Sequence, residues 1–356
     1  MGGARAGVKC LHAHYAYRLA GGEDPVGAWV AERVEPVHPE ERGGRVAAID
    51  QGTNSCRLLV VEPPQAPGEP LRELARDLEI TRLGAGVDAT GRLDPAALER
   101  TVRVLAGYAR RARALRAERI RVAATSAARD ARDRARLAAA VRRHTGAALE
   151  VISGEEEAAL TFLGGTSELD PADGPFLVVD IGGGSTELVV GARPGRAARS
   201  VSTAMGSVRM TERYLRHDPP RPEELADLRA EVGAIVREAA EALPVASART
   251  VVAVAGTATT VQAIALGLAR YDPERIHRSW LERGDVERVL ERLAAMTNAE
   301  RAALPQMTPG RGEVIVAGAA ILVEILRGLG VERALVSETD ILDGLVLDLL
   351  GYPGPP

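Results

Sequence analysis

Apolar positions along this chain alternate between two rhythms, one of strand length and one of helical spacing. Short β-rich runs at 45–50, 57–62, 73–82, 119–124 and 148–152 read as strands. Between them, Asp94 to Arg116 carries a Leu98, Val102, Leu105 stripe and reads as a helix behind a capping aspartate, and 133–145 reads as a second. A third helix starts near Glu155 and gives way to a loop after Gly164. A second strand-rich block opens at Phe176, with a buried strand near 251–255 and helices near 206–216, 222–243, 285–297, 311–329 and 339–350. The pattern predicts an α/β chain in two halves, 43–165 and 166–338, with a last helix and tail at 339–356 free to cross back to the first half. Residues 1–42 lack clear periodicity and read as an appendage. Cys10, His12 and His14 within it have a metal-like look, but no fourth ligand is evident.

The two halves begin alike. Asp50-Gln51-Gly52-Thr53-Asn54-Ser55-Cys56-Arg57-Leu58-Leu59-Val60 and Asp180-Ile181-Gly182-Gly183-Gly184-Ser185-Thr186-Glu187-Leu188-Val189-Val190 share Asp, Gly, Ser, Leu and Val at equal offsets. Strand flanks each turn on both sides. This shape excludes a dinucleotide fingerprint and a Walker loop, which open a helix, and the latter needs a lysine where this chain has only Lys9. Glycine lets backbone N–H groups approach an anion closely, and hydroxyls add donors. An aspartate at each strand end, Asp50 and Asp180, can hold a divalent cation. Gly52, Thr53, Asn54 and Ser55 on one turn, and Gly182, Gly183, Gly184 and Ser185 on the other, are therefore expected to clamp a phosphate chain from two sides. A third turn, VVAVAGTATTVQAIA, runs from a strand through Gly256-Thr257 into a helix whose N-terminus can receive an anion.

Composition narrows the partner. The chain has 356 residues, 46% hydrophobic and 26% charged, with a net charge of −4, which suits a globular protein with room for two cores. No apolar run is long enough to span a membrane and no signal-peptide order begins the chain, so it reads as cytoplasmic. Two cysteines in unrelated contexts suggest no disulfide framework. From Arg103 to Arg143, thirteen arginines stand against three acids, which favours a polyanionic ligand. Aromatic residues are only 3% and do not interleave with these arginines, so phosphate without bases fits better than nucleic acid.

Two phosphate hairpins plus a strand–Gly–Thr–helix element resemble the actin-like (ribonuclease H-like) ATPase superfamily, which implies two domains around an inter-domain cleft. Within it, AIDQGTNSCRLLV, RLGAGVDATGRL, ATSAARDA, ISGEEEAALTFLG, VVDIGGGSTELVVG, GSVRMTE, VAGTATT, MTPGRGEVIVAGAAIL and VSETDILDGLVL resemble, in order and spacing, the exopolyphosphatase/guanosine pentaphosphate phosphohydrolase family in its short two-domain form. The resemblance covers residues 45–351. The first forty residues resemble the tail of a small uncharacterised protein, as a gene fusion or an early start codon would produce.

The resemblance implies removal of a terminal phosphate from inorganic polyphosphate, or from guanosine pentaphosphate, with Mg2+ or another divalent cation. A non-catalytic sensor of such ligands is the reading from another class. Glu157 is implied as the catalytic base, its proton affinity raised by the neighbouring acids. Asp50, Asp180 and Glu187 are implied as metal-binding and water-ordering acids. Arg57, Arg129 and Arg311 are implied on phosphate, with Thr125 and Ser126 of the same ATSAARDA segment, since guanidinium matches phosphate oxygens and stays charged. An ion pair of Arg129 with Asp130 or Asp133 is the competing expectation. Homodimerisation follows by analogy alone. Thr308 and Thr339 stand where relatives often carry histidine, which suggests that the two side chains are neighbours near the cleft.

Overall fold

The computed structural model describes residues 14–18, 30–34, 44–63 and 71–352. It divides into two units, Met1–Gly43 and Gly44–Pro356. In the first, β1 (His14–Arg18) and β2 (Val30–Val34) pair antiparallel, with Tyr15 opposite Arg33. Cys10 and His12 lie outside the described residues.

Two sheets build the second unit. One comprises β3 (Val46–Gln51), β4 (Ser55–Glu62), β5 (Arg72–Ile80), β6 (Arg119–Ala124) and β7 (Leu149–Val151) in the order β5-β4-β3-β6-β7. The other comprises β8 (Phe176–Ile181), β9 (Thr186–Gly191), β10 (Arg199–Thr203), β11 (Thr250–Val254), β12 (Ser279–Glu282) and β13 (Arg333–Val336) in the order β10-β9-β8-β11-β13-β12. In each sheet the first three strands form an antiparallel meander, and the next two join parallel to its first strand. The sequence repeat is thus a repeat of whole sheets, to which the second adds β12 as an antiparallel edge. The first strands, VAAIDQ and FLVVDI, are buried throughout, as central strands covered on both faces must be.

Helices cover both faces. Pro95–Ala114 starts where Asp94 accepts the Ala97 N–H at 2.8 Å, and packs Leu98, Val102 and Leu105 with Leu137 and Val141 of Arg134–Thr145. On the other faces the two sheets exchange helices. Gly154–Thr166, which ends the first half of the sequence, packs Ala158 and Phe162 against Val178, Val189 and Val252 of the second sheet. Ile341–Leu349, which ends the second half, packs Ile341, Leu342, Leu345 and Val346 against Val46, Ala48 and Leu59 of the first. The two helices cross at glycines. A Cβ on Gly164 would lie 1.8 Å from the Asp340 carbonyl, and one on Gly344 1.9 Å from that of Leu160.

That crossing explains one departure from the sequence reading: the helix does not stop at Gly164 but runs on through Gly165 to Thr166, because those glycines serve close packing rather than a turn. Another departure is the helix expected from residue 311, which starts at Ile315. Gly310, at φ 78°, interrupts it and leaves Arg311 on a loop. Among the described residues no helix is long and apolar enough to cross a membrane.

Candidate active site

Each sheet delivers one hairpin turn to the same cleft, a cavity of about 380 Å3. The turns are built alike: Gly52 N donates to the Ser55 carbonyl at 2.9 Å, and Gly182 N to the Ser185 carbonyl at 3.0 Å. Asp50, Gly52, Thr53, Asn54 and Ser55 line one side, and Asp180, Gly182, Gly183, Gly184 and Ser185 the other. They meet at close range. A Cβ on Gly183 would sit 2.9 Å from Thr53 Cβ, and one on Gly184 2.5 Å from Ser126 Oγ, so only glycine lets the turns approach this far.

Gly256 and Thr257 form a third wall at the start of the helix Ala255–Ala265. Ala255 adopts φ 63°, a left-handed conformation costly for alanine, where β11 turns into that helix. Over Gly256 lies the Arg311 guanidinium, so close that a Cβ there would be 2.0 Å from its Nη1. Arg311 Nε is buried with no hydrogen-bond partner, and among the described residues no carboxylate pairs with this side chain. Burial pushes its pKa down, as does the neighbouring Arg57. A buried guanidinium with spare donors is poised for an anion.

Arg57 is differently placed. Its Nε and Nη2 donate to Asp50 Oδ2 at 3.1 and 2.7 Å, and its Nη1 bonds Asp340, which caps the helix Ile341–Leu349. Burial alone would lower its pKa, but Asp340 and Asp50 together hold it well above the ordinary value. Three of its five N–H donors are spent on carboxylates, leaving two for other acceptors.

Acids crowd the floor. Asp50, Glu157, Asp180 and Asp340 line the cavity, whereas Glu187, opposite Asp180 across the strand pair, does not, and all five are at most 7% exposed. Burial raises Glu157 to about 7, opposed by Arg129 and assisted by the charge of Asp50. Its proton affinity therefore comes from desolvation, not from Glu155 and Glu156 as the sequence suggested. Glu156 pairs with Arg121 at 2.8 Å instead. Asp180 is likewise raised to about 7 by burial, then by Asp340 and Glu157, while Thr161 Oγ1 donates to it at 3.1 Å. Burial, Glu157 and Asp180 hold Glu187 well above the usual range, although Ser202 Oγ donates to it at 2.8 Å.

Arg129 makes neither of the competing pairs with Asp130 or Asp133. Its Nη1 donates to Glu157 Oε2 at 2.8 Å and to the Ile152 carbonyl at 2.9 Å. Thr125 and Ser126, both buried, lie at the start of the short helix that carries it, and Thr125 works with Arg129 against the rise in the Glu157 pKa. Of the two threonines, Thr308 lines the cleft, whereas the Thr339 hydroxyl is satisfied by Ser337 Oγ at 2.8 Å and Thr339 is not among the cavity-lining residues.

Sequence reasoning missed several residues here. Asp340, Thr161, Ser202, Tyr271 and Glu338 all take part, the last two joined by a 2.7 Å hydrogen bond from Tyr271 Oη. Thr161 carried a usable signal, since it lies four residues after Glu157 and so on the same helix face. Asp340 carried another as a capping aspartate ahead of an apolar helix.

Comparison with known proteins gives the following likenesses. The Ppx/GppA phosphatase family matches residues 63–352, and a family of proteins of unknown function (DUF501) matches residues 1–32. Exopolyphosphatase 2 of Mycobacterium tuberculosis is 46% identical over 318 residues, which cover 86% of this chain and 99% of that protein. A crystal structure of an exopolyphosphatase-like protein is 37% identical with a TM-score of 0.81, covering 86% of this chain and 97% of the other. The Aquifex aeolicus member of the Ppx/GppA family is 28% identical with a TM-score of 0.73, covering 88% and 99%.

Proposed function

This chain belongs to the Ppx/GppA phosphatase family, with the actin-like fold and the hydrolase activity of the exopolyphosphatase type, and we propose that it removes the terminal phosphate of inorganic polyphosphate by attack of water oriented by Glu157. The observation that carries this reading is the placement of Glu157: a buried carboxyl near pKa 7, hydrogen-bonded to Arg129, on a cleft walled by two phosphate-type turns. A base is most effective when its pKa lies near the working pH.

The two turns offer backbone N–H groups and hydroxyls to successive phosphates, and Arg311 adds a cation with free donors. Arg129 can bind the terminal phosphate with the N–H groups not given to Glu157 and Ile152. Phosphoryl transfer asks mainly for positioning and charge neutralisation, which these groups supply. Glu157 takes the proton of the attacking water, and a protonated acid or solvent returns one to the departing chain.

The acid floor fits a divalent cation. Asp50 Oδ1 is buried with no partner, and beyond burial the charge of Glu157 raises Asp180 and Glu187 while that of Asp50 raises Glu157, a repulsion that a cation relieves. Among the described residues no three acidic, imidazole or thiol groups converge as ligands. Asp50, through its partnerless Oδ1, and Asp180 would therefore hold the ion, with Glu187 adding charge from its place opposite Asp180 and with water in the rest of the shell, the habit of Mg2+ rather than of a caged metal. When bound, the cation neutralises phosphate charge at the site of transfer.

Phosphate release from polyphosphate of several lengths and from guanosine pentaphosphate, on wild type and Glu157→Gln, tests the proposal. Turnover of polyphosphate, lowered about 10²–10⁴-fold in the variant with binding kept, supports it. Release from the nucleotide alone moves the substrate to guanosine pentaphosphate, and binding without release makes the protein a sensor.

A further inference from the structure

The segment 81–88, which runs from Thr81 into the first half of RLGAGVDATGRL, takes no part in the chemistry above, yet it is fastened to both lobes. Thr81 N and Arg82 N donate to the Asn54 carbonyl at 3.0 and 2.8 Å, and Gly84 N donates to that of Thr53 at 2.8 Å. Gln51 Nε2 donates to Thr81 Oγ1 at 3.0 Å. The segment is thus strapped to the back of the first phosphate turn.

From the other lobe the helix Ser207–Tyr214 reaches across to it. Arg209 forks three ways: Nε donates to the Gly184 carbonyl in the second phosphate turn at 2.7 Å, Nη1 bonds Asp88, and Nη2 bonds Asp130. Asp130 is the residue next to Arg129. Arg213 donates to both oxygens of Asp88 at 2.6 and 2.8 Å, and Gly86 N donates to Glu212 Oε1 at 3.0 Å. At the opposite end of the strap, Arg82 pairs with Glu313 near Arg311. The side chains of Arg209 and Asp88 are 13% and 18% exposed, so their pairing is less screened than a surface ion pair.

The geometry points to Asp88 and Arg209 as positioning residues that hold the two phosphate turns at one spacing, so that closure of the lobes and registry of the turns are one event. Neither residue lines the catalytic cavity. Arg209 fixes the second turn through Gly184, the first through Asp88 and the strap, and the Arg129 helix through Asp130. The inference rests on the phosphohydrolase reading for its kinetic consequence, because a misplacement near 1 Å can cost about 100-fold in a reaction that depends on positioning. Among the described residues Arg213 makes its ion pair with Asp88 and no hydrogen bond to either turn.

The test compares Arg209→Gln, Arg209→Lys and Arg213→Gln in the full chain, with tripolyphosphate as substrate and small-angle X-ray scattering alongside. Arg209→Gln should lower kcat about 10- to 100-fold with a smaller change in KM, and should increase the radius of gyration. Arg209→Lys keeps the charge and folds, but one ammonium cannot bridge three acceptors, so kcat should stay several-fold low. Arg213→Gln should lose less than threefold. Wild-type kcat in Arg209→Gln, full recovery by lysine, or an equal loss in Arg213→Gln would overturn the inference. If wild type releases no phosphate, the phosphohydrolase reading fails, while the scattering comparison still decides whether Arg209 holds the lobes together.

Discussion

Asp180 faces Glu187 across β8 and β9 at the register position where, in the other sheet, Asp50 faces Arg57. One copy of the repeated hairpin is neutralised by its own arginine. The other places a second carboxylate against the first, and Asp180 adds its charge to the burial and the Glu157 carboxylate that raise the pKa of Glu187.

The acid floor should make the metal-free protein less stable as pH rises. Glu157 and Asp180 near 7, and Glu187 held by burial well above its ordinary value, keep protons in the folded state that the unfolded chain releases above its ordinary carboxylate pKa. Folded protein then binds more protons than unfolded between about pH 4 and 7, and stability falls across that window. Thermal denaturation in chelator should show Tm several degrees lower at pH 7.5 than at pH 5.5. Millimolar Mg2+ should recover most of the loss, and Glu187→Gln should flatten the slope. A Tm independent of pH would show that the acids are not crowded in solution.

Arg311 and Arg57 should respond differently to removal. Arg311→Ala deletes a guanidinium with no carboxylate partner among the described residues, so KM for short polyphosphate should rise about 10-fold or more while Tm holds or increases. Arg57→Ala strands Asp50 and Asp340 without their cation, which should cost about 3 kcal/mol of stability before any effect on substrate. Denaturant titration beside steady-state kinetics separates the two. Equal loss of stability in both variants would remove the distinction.

Gly344→Ala puts a methyl 1.9 Å from the Leu160 carbonyl, backbone against backbone, and no rotamer relieves it. Forcing the helices apart should destabilise by about 1–3 kcal/mol and tilt Glu157, lowering kcat as well. Alanine at Gly267, where nothing lies within 4 Å but φ is 61°, serves as the comparison, with a backbone cost and no steric one. Urea midpoints that match between the two would show that the helices separate freely.

The arginines between 103 and 143 predict a salt effect. Arg110, Arg116, Arg119, Arg142 and Arg143 are exposed on or beside the paired helices of the first lobe, and among the described residues none has an ion-pair partner within 4.0 Å. KM for long polyphosphate should climb with added KCl more steeply than KM for tripolyphosphate. Parallel slopes would mean that these side chains only solvate the surface.

Much of this architecture was legible because it is written twice. The matched hairpins at Asp50 and Asp180 are short-range patterns whose glycines and hydroxyls announce themselves, and the helix stripe at Leu98, Val102 and Leu105 needs no tertiary knowledge. What stayed hidden depends on packing. β10, β12 and β13 are short strands at or near an edge, too brief for a clear alternation. Gly164 and Gly165 look like a helix end until another helix is laid across them. Nor could local sequence tell that Arg57 would meet Asp340 across the fold, that Arg129 would choose Glu157 over nearby acids, or that burial would set the proton affinity of Glu157.

The exchanged helices have a consequence for the halves themselves. The first sheet is finished by a helix encoded after the second, and the second by a helix encoded just after the last strand of the first, so a cut near residue 170 would leave both pieces with an uncovered apolar face. Sister modules that repeat one plan have become mutually completing, and neither is a protein without its twin.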